Sequence, residues 1–249
     1  KQLSQLWAGT LGHQAFGPSL SSSIQPLIRS SLYVGTNCNA TGKRMVALGL
    51  MELAVRLFGN VAFFRPVVRD SATEDQSINL MRARYGIKTS AEAMAGVTRA
   101  QARQMLSEDR YDELIQHIQQ RFKTLESAAD FVVVEGTSFQ GLAPELEFEL
   151  NANIAVNLGC RVLSVYGMGS RTVDDCVQSV LIGNDSFVDH GADLIATVIN
   201  QVPASQASQS FGQARFERTA VSTPRRAPSA ATNCPRNPGR HWCQTDCGT

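Results

Sequence analysis

Four consecutive apolar residues, Phe131-Val132-Val133-Val134, run without interruption into an acid, Glu135. Side chains along a strand alternate between the two faces of a sheet, so a strand wetted on one face alternates apolar with polar. An unbroken run therefore demands cover on both faces. Val61–Phe64 (VAFF) makes the same demand, and further β-rich runs stand at Ser31–Val34, Val162–Tyr166 and Leu194–Ile199. Longer segments of helical spacing separate them. Val46, Leu50, Leu53, Ala54 and Leu57 recur along Met45–Phe58, and Leu114, Ile118 and Phe122 form one stripe of Arg110–Leu125. Thr98 with Gln101 makes a capping box, and Glu147–Leu158 and Thr172–Ile182 read as two more helices. Strands alternating with helices predict an α/β fold: a mostly parallel sheet in three layers, with helices on both faces.

The 249 residues carry 23 Lys and Arg against 22 Asp and Glu, a net charge of +1. That balance argues against nucleic acid and against an acidic membrane surface as partner. No apolar run reaches the roughly 18–20 residues that span a bilayer, and the start has no apolar block of a secretory signal. The first three cysteines, Cys38, Cys160 and Cys176, are widely scattered and read as cytoplasmic thiols rather than a disulfide framework. From Ser205 onward there is no Leu, Ile, Met, Lys or Tyr and a single Val. Such a stretch cannot bury enough surface to offset its ordering entropy. Six arginines against two acids give 204–249 a charge of +4, leaving 17 basic and 20 acidic residues for 1–203. The expected organisation is a leader over 1–30, a folded unit over 31–203 and a disordered or foreign tail over 204–249.

The chemistry concentrates at the carboxyl ends of the strands. Tyr33 to Arg44 (YVGTNCNATGKR) joins the first strand to the first helix and ends Thr41-Gly42-Lys43. Small residues let backbone N–H groups curl round an anion, the helix N-terminus adds partial positive charge, and Lys neutralises phosphate. The full phosphate-loop pattern fails twice. Asn37 stands where a first Gly belongs, and Arg44 replaces the Ser or Thr that would ligate Mg²⁺. An anion site is expected here nonetheless, because the loop is long, small and polar and follows the first strand of an α/β sheet.

Glu135, at the end of the most apolar strand, falls in the crevice where open parallel sheets bind ligands and where a carboxylate would hold Mg²⁺. Asp75, in TEDQSINL, is either a second such carboxylate or an exposed helix N-cap. Asn200 is either positioned for a base edge or a strand-end turn residue. Arg65-Pro66, read as lying just beyond the second strand, is a further crevice candidate, since Arg grips phosphate bidentately. Other chemistries lack support. His13, His117, His190 and His241 have no companions that form a triad or metal cage, and Cys234, Cys243 and Cys247 are spaced unlike a common zinc module.

Five ordered blocks carry a resemblance: LYVGTNCNATGKRMVALGLMELAVRLFGNVAFFRPVV, DQSINLM, FVVVEGTSF, FELNANIAVNLGCRVLSV and DLIATVINQV. Together they resemble the amino-terminal domain of long phosphate acetyltransferases, which is itself similar to dethiobiotin synthetase, an ATP- and Mg²⁺-dependent P-loop fold. The resemblance covers about Ser31 to Val202. It implies a P-loop NTPase-like sheet, with Thr41, Gly42 and Lys43 at phosphate, Glu135 at the acidic metal position and Asn200 facing adenine. Arg65-Pro66 matches a Lys-Pro or Arg-Pro pair after the second strand. Two features depart from the family: Arg44 in place of the loop's hydroxyl, and Ser77 where a second acid is often found, leaving Asp75 two residues away.

The resemblance therefore implies nucleotide or anion sensing by a regulatory portion of an acetyl-CoA/acetyl phosphate-interconverting enzyme, with ATP and Mg²⁺ at a weak or relict site. Self-association or a transferase domain would be its partner, and the acetyl-transferring part is absent from these residues. Two alternatives remain, a free-standing dethiobiotin synthetase-like ligase and a structural module with an empty site. The tail raises one more expectation. Codons chosen for Asn237–Cys247 and read one base later spell Ile-Pro-Ala-Gly-Ile-Gly-Ala-Lys-Pro-Thr-Val, which resembles the segment following this domain in the family, so the tail reads as a frameshift.

Overall fold

A computed structural model describes residues 31–36, 41–137 and 144–203, all within one compact unit. The expectations placed on 1–30, on 37–40 and on the tail from 204 lie outside those residues. Six strands form one sheet: β1 (Ser31–Gly35), β2 (Val61–Val68), β3 (Ala95–Thr98), β4 (Phe131–Glu135), β5 (Arg161–Gly167) and β6 (Asp193–Asn200). Their order is β3-β2-β4-β1-β5-β6, and every pairing is parallel. The sheet is thus wholly parallel among the described residues, where a mostly parallel one was expected.

The helices are α1 (Lys43–Leu57), α2 (Gln76–Tyr85), α3 (Arg99–Ser107), α4 (Tyr111–Glu126), α5 (Pro144–Asn157) and α6 (Val173–Asp189). The apolar run of β4 explains the layering. Val132 and Val134 face a core built with Leu114, Ile118 and Phe122 of α4 and Ile154 of α5. Val133 faces the opposite core, with Ala47 and Met51 of α1 and Ile78 and Met81 of α2. All three valines are fully buried. Helix α3 opens on the expected capping box, Thr98 accepting from the amide of Gln101. Cys160 and Cys176 are buried and His117 is exposed.

Four expectations are corrected. Strand β2 does not stop at Phe64 but continues to Val68, so Arg65 and Pro66 lie inside it. The strand changes partner there: Val61–Phe64 pair with β4, and Arg65, Val67 and Val68 pair with β3. Pro66, which has no N–H to donate, falls beyond the β4 ladder. Strand β3 was not anticipated at all. Its Gly96 packs so closely on the Pro66 carbonyl that a Cβ would overlap that oxygen. The buried face of α1 is Lys43, Ala47, Met51 and Ala54, whereas Leu53 and Leu57 are exposed. Small Ala47 and Ala54 against the sheet let the helix approach it closely. Finally, Asp75 does cap α2, but it is buried rather than exposed.

Candidate functional site

Strands β1 and β4 are hydrogen-bonded neighbours, with Val34 opposite Glu135, so the loops leaving their carboxyl ends emerge side by side. Helix α1 starts at the end of the first of these loops. Its N-cap, Gly42, has φ 74°, a left-handed conformation that other residues adopt at a cost. A Cβ there would also overlap Asn200 Nδ2. Asn200, the last residue of β6, donates from that nitrogen to the Thr41 carbonyl at 3.0 Å. Loop and distant strand end are therefore locked by a contact only glycine permits.

Lys43, the first residue of α1, is buried, and its Nζ donates to the Thr137 carbonyl oxygen at 3.1 Å. Burial pushes its pKa down to about 8, against an opposing pull from Glu135. Thr137 is held in turn by Asn151 of α5, 1% exposed. Asn151 Oδ1 accepts from the Thr137 amide at 2.8 Å and from the Tyr33 hydroxyl at 2.6 Å, and Nδ2 donates to the carbonyls of Glu147 and Thr137. Burial raises the Tyr33 pKa, so the phenol stays protonated and donates. Gly136, between Glu135 and Thr137, leaves no room for a Cβ against Tyr33 and Asn151 Oδ1.

The acidic candidates meet at one cation. Arg65 Nη1 bonds Glu135 Oε1 at 2.7 Å, and Arg65 Nε lies 3.5 Å from Asp75 Oδ2. The other oxygen of Asp75 accepts from the amides of Ser77 and Ile78 as the cap of α2. Arg44 leans over the same helix end, with Nε donating to Ser77 Oγ at 2.9 Å and Nη1 to Gln76 Oε1 at 3.0 Å. These groups border a cleft of about 310 Å³ that also reaches Arg69, Asp70, Glu74 and Arg99. Burial and the nearby guanidinium of Arg69 lower the pKa of Arg99. Three polar atoms of the cleft, Arg65 Nε, Glu135 Oε2 and Thr137 Oγ1, are buried without a hydrogen-bond partner among the described residues. Buried polar atoms are nearly always paired, so the two oxygens are available to a polar ligand.

Six of the seven candidates from the sequence lie at strand ends and helix N-termini, and Arg65 lies inside β2. Lys43, Glu135, Arg65 and Asp75 form one electrostatic cluster, and Thr41, Gly42 and Asn200 form a second contact beside it. Sequence reasoning passed over Asn151, Arg69 and Arg99. Asn151 was detectable as the polar residue next to Leu150 in the Leu150, Ile154, Leu158 stripe, whereas Arg69 and Arg99 carry no pattern. The resemblance also implies a magnesium site. A hard, octahedral cation needs several free oxygens. Here Arg65 engages both carboxylates, Asp75 caps a helix, and the Ser77 hydroxyl accepts from Arg44. No group of three or more His, Cys, Asp or Glu that could hold a metal exists among the described residues. This donor set does not fit magnesium.

A parallel α/β sheet whose first strand leads through a Gly-Lys turn into a buried helix N-terminus defines a P-loop domain. The chain belongs to the AAA domain family, whose model matches residues 30–228. It is 34% identical to a phosphate acetyltransferase of Nitratidesulfovibrio vulgaris and 26% identical to one of Synechocystis sp., each over 182 residues. Those matches cover 72% of this chain and 26% of each relative, so the chain spans about a quarter of their length. Among solved structures it is similar to the BceF tyrosine kinase domain, with 16% identity, TM-score 0.44 and 70% of each chain covered. It is also similar to the chimerical protein CapA2B2, with 17% identity, TM-score 0.44 and coverage of 72% and 79%. No helix of the described residues is long and apolar enough to cross a membrane.

Proposed function

We propose that these residues form the nucleotide- or anion-sensing regulatory domain of a phosphate acetyltransferase, and that they do not themselves transfer acetyl groups between acetyl-CoA and phosphate. The observation that carries this reading is a cleft lined by Arg44, Arg65, Arg69 and Arg99, where the unpartnered buried hydroxyl of Thr137 can donate to a phosphate oxygen. In this reading Lys43 and the N-terminus of α1 take terminal phosphates, Thr41 and Gly42 shape the loop round them, and Asn200 reads the base edge. Arg65 adds a guanidinium at the phosphates, held in place by Glu135 and Asp75. The carboxylates thus serve through Arg65 rather than as metal ligands. The rest of the enzyme, or a second copy of this chain, is the partner to which a bound nucleotide is reported.

Isothermal titration with ATP tests the proposal. Saturable one-site binding is expected, and its absence at millimolar ATP would favour the structural module. A parallel ADP-release assay with candidate carboxylates and amines separates sensing from dethiobiotin synthetase-like ligation. Sensing predicts no release above background.

A further inference from the structure

The positions that would ligate a divalent cation in a P-loop site either are an arginine or lie against one. Position 44, next to the phosphate-loop lysine, is itself an arginine. Ser77 is fully buried, and its hydroxyl accepts from Arg44 Nε at 2.9 Å. Glu135 is paired to Arg65 at 2.7 Å, and Asp75 lies 3.5 Å from the same guanidinium. A dication placed among these groups would find one free carboxylate oxygen, Glu135 Oε2, and would face the fixed positive charges of Arg44 and Arg65. We infer that this cleft binds the phosphates of its ligand without a divalent cation, and that Arg44 and Arg65 supply the positive charge that a metal would supply.

The chemistry is consistent on both sides. A guanidinium presents rigid N–H forks that match phosphate oxygens, stays charged at any working pH and carries no demand for octahedral geometry. Arg65 is 12% exposed at its side chain and is preoriented by Glu135 and Asp75. Arg44 is exposed at the rim, oriented by Ser77 and Gln76. Both arginines line the cleft, as does Thr137, whose unpartnered hydroxyl can donate to a phosphate oxygen. In a site built this way the two guanidiniums meet the phosphate oxygens directly, so the free polyphosphate needs no bridging metal.

The inference rests on the nucleotide reading, and one titration series distinguishes the two. ATP is titrated into the full chain in excess EDTA and again in excess MgCl₂, for the parent and for Arg44→Ser. The parent should bind at least as tightly in EDTA as in magnesium. Arg44→Ser, a change at an exposed side chain, should lose about tenfold or more in EDTA and should bind more tightly in magnesium than in EDTA. Parent binding that weakens tenfold or more on chelation overturns the inference and leaves the nucleotide reading standing. Undiminished binding of Arg44→Ser in EDTA also overturns it, because Arg44 then supplies no charge to the phosphates. No binding by the parent in either buffer overturns the nucleotide reading and the inference with it.

Discussion

Lys43 Nζ donates to the carbonyl oxygen of Thr137 at 3.1 Å, joining the start of α1 to the loop that leaves β4. The two residues are 94 positions apart, yet β1 and β4 are adjacent strands, and the contact follows from that adjacency. It holds the ammonium in a buried place, which is why the pKa of Lys43 is lowered to about 8.

Titration of Lys43 gives opposite pH dependences for the free and bound protein. The unfolded chain holds the proton up to its ordinary pKa of about 10.4, whereas the folded chain releases it near 8. Between these values the unfolded state binds more protons, so this group makes the free protein more stable as pH rises. Phosphate binding needs the charged lysine. ATP affinity should fall above about pH 8, approaching tenfold per pH unit. Calorimetric titrations from pH 6 to 9.5 check this, and a flat profile in the parent would contradict it.

Asn151 orders the Thr137 backbone that receives Lys43. Asn151→Ala leaves the buried Thr137 amide and Tyr33 hydroxyl without their acceptor, at a cost of about 2–4 kcal/mol in urea unfolding. Tyr33→Phe removes a donor and leaves Asn151 its other bonds, so it should cost only about 0.5–1.5 kcal/mol. Equal losses in the two variants would show that Asn151 is not the centre of this network.

Gly42 and Asn200 should be energetically coupled. Gly42→Ala places a side chain at φ 74° and into Asn200 Nδ2, with the conformational part alone costing about 1–2 kcal/mol. Asn200→Ala removes the obstructing amide and its bond to Thr41. The double variant should be less destabilised than the sum of the singles by about 0.5 kcal/mol or more. Strict additivity in denaturant titrations would argue that the loop and β6 are not in contact.

The layered sheet was legible because four apolar residues in a row in FVVVE need cover on both faces, and the valines of β4 indeed enter two separate cores. The phosphate turn was legible because Gly42-Lys43 sits at a strand-to-helix junction. Arg65-Pro66 was misplaced because Pro normally ends a strand, and the partner exchange that tolerates it depends on β3, four residues long with an internal glycine. Such a strand is set by its neighbours rather than by its own residues. The pairing of Arg65 with both Glu135 and Asp75 was equally hidden, since it joins residues from three elements that only the sheet order brings together.

This chain spans about a quarter of the phosphate acetyltransferases it resembles. Purified alone, it should not exchange acetyl groups between acetyl-CoA and phosphate above background. Turnover that copurifies with the chain, and is lost in Lys43→Ala, would place acetyl transfer within these residues and contradict the regulatory assignment.

The central claim is that Lys43 and the cleft beside it hold the phosphates of a nucleotide. The most direct measurement is the dissociation constant for ATP in the parent and in Lys43→Ala, by calorimetry at pH 7. Loss of a charge-assisted hydrogen bond should weaken binding by about 1.5–3 kcal/mol, roughly ten- to 150-fold. Identical affinity in the two proteins would contradict the account.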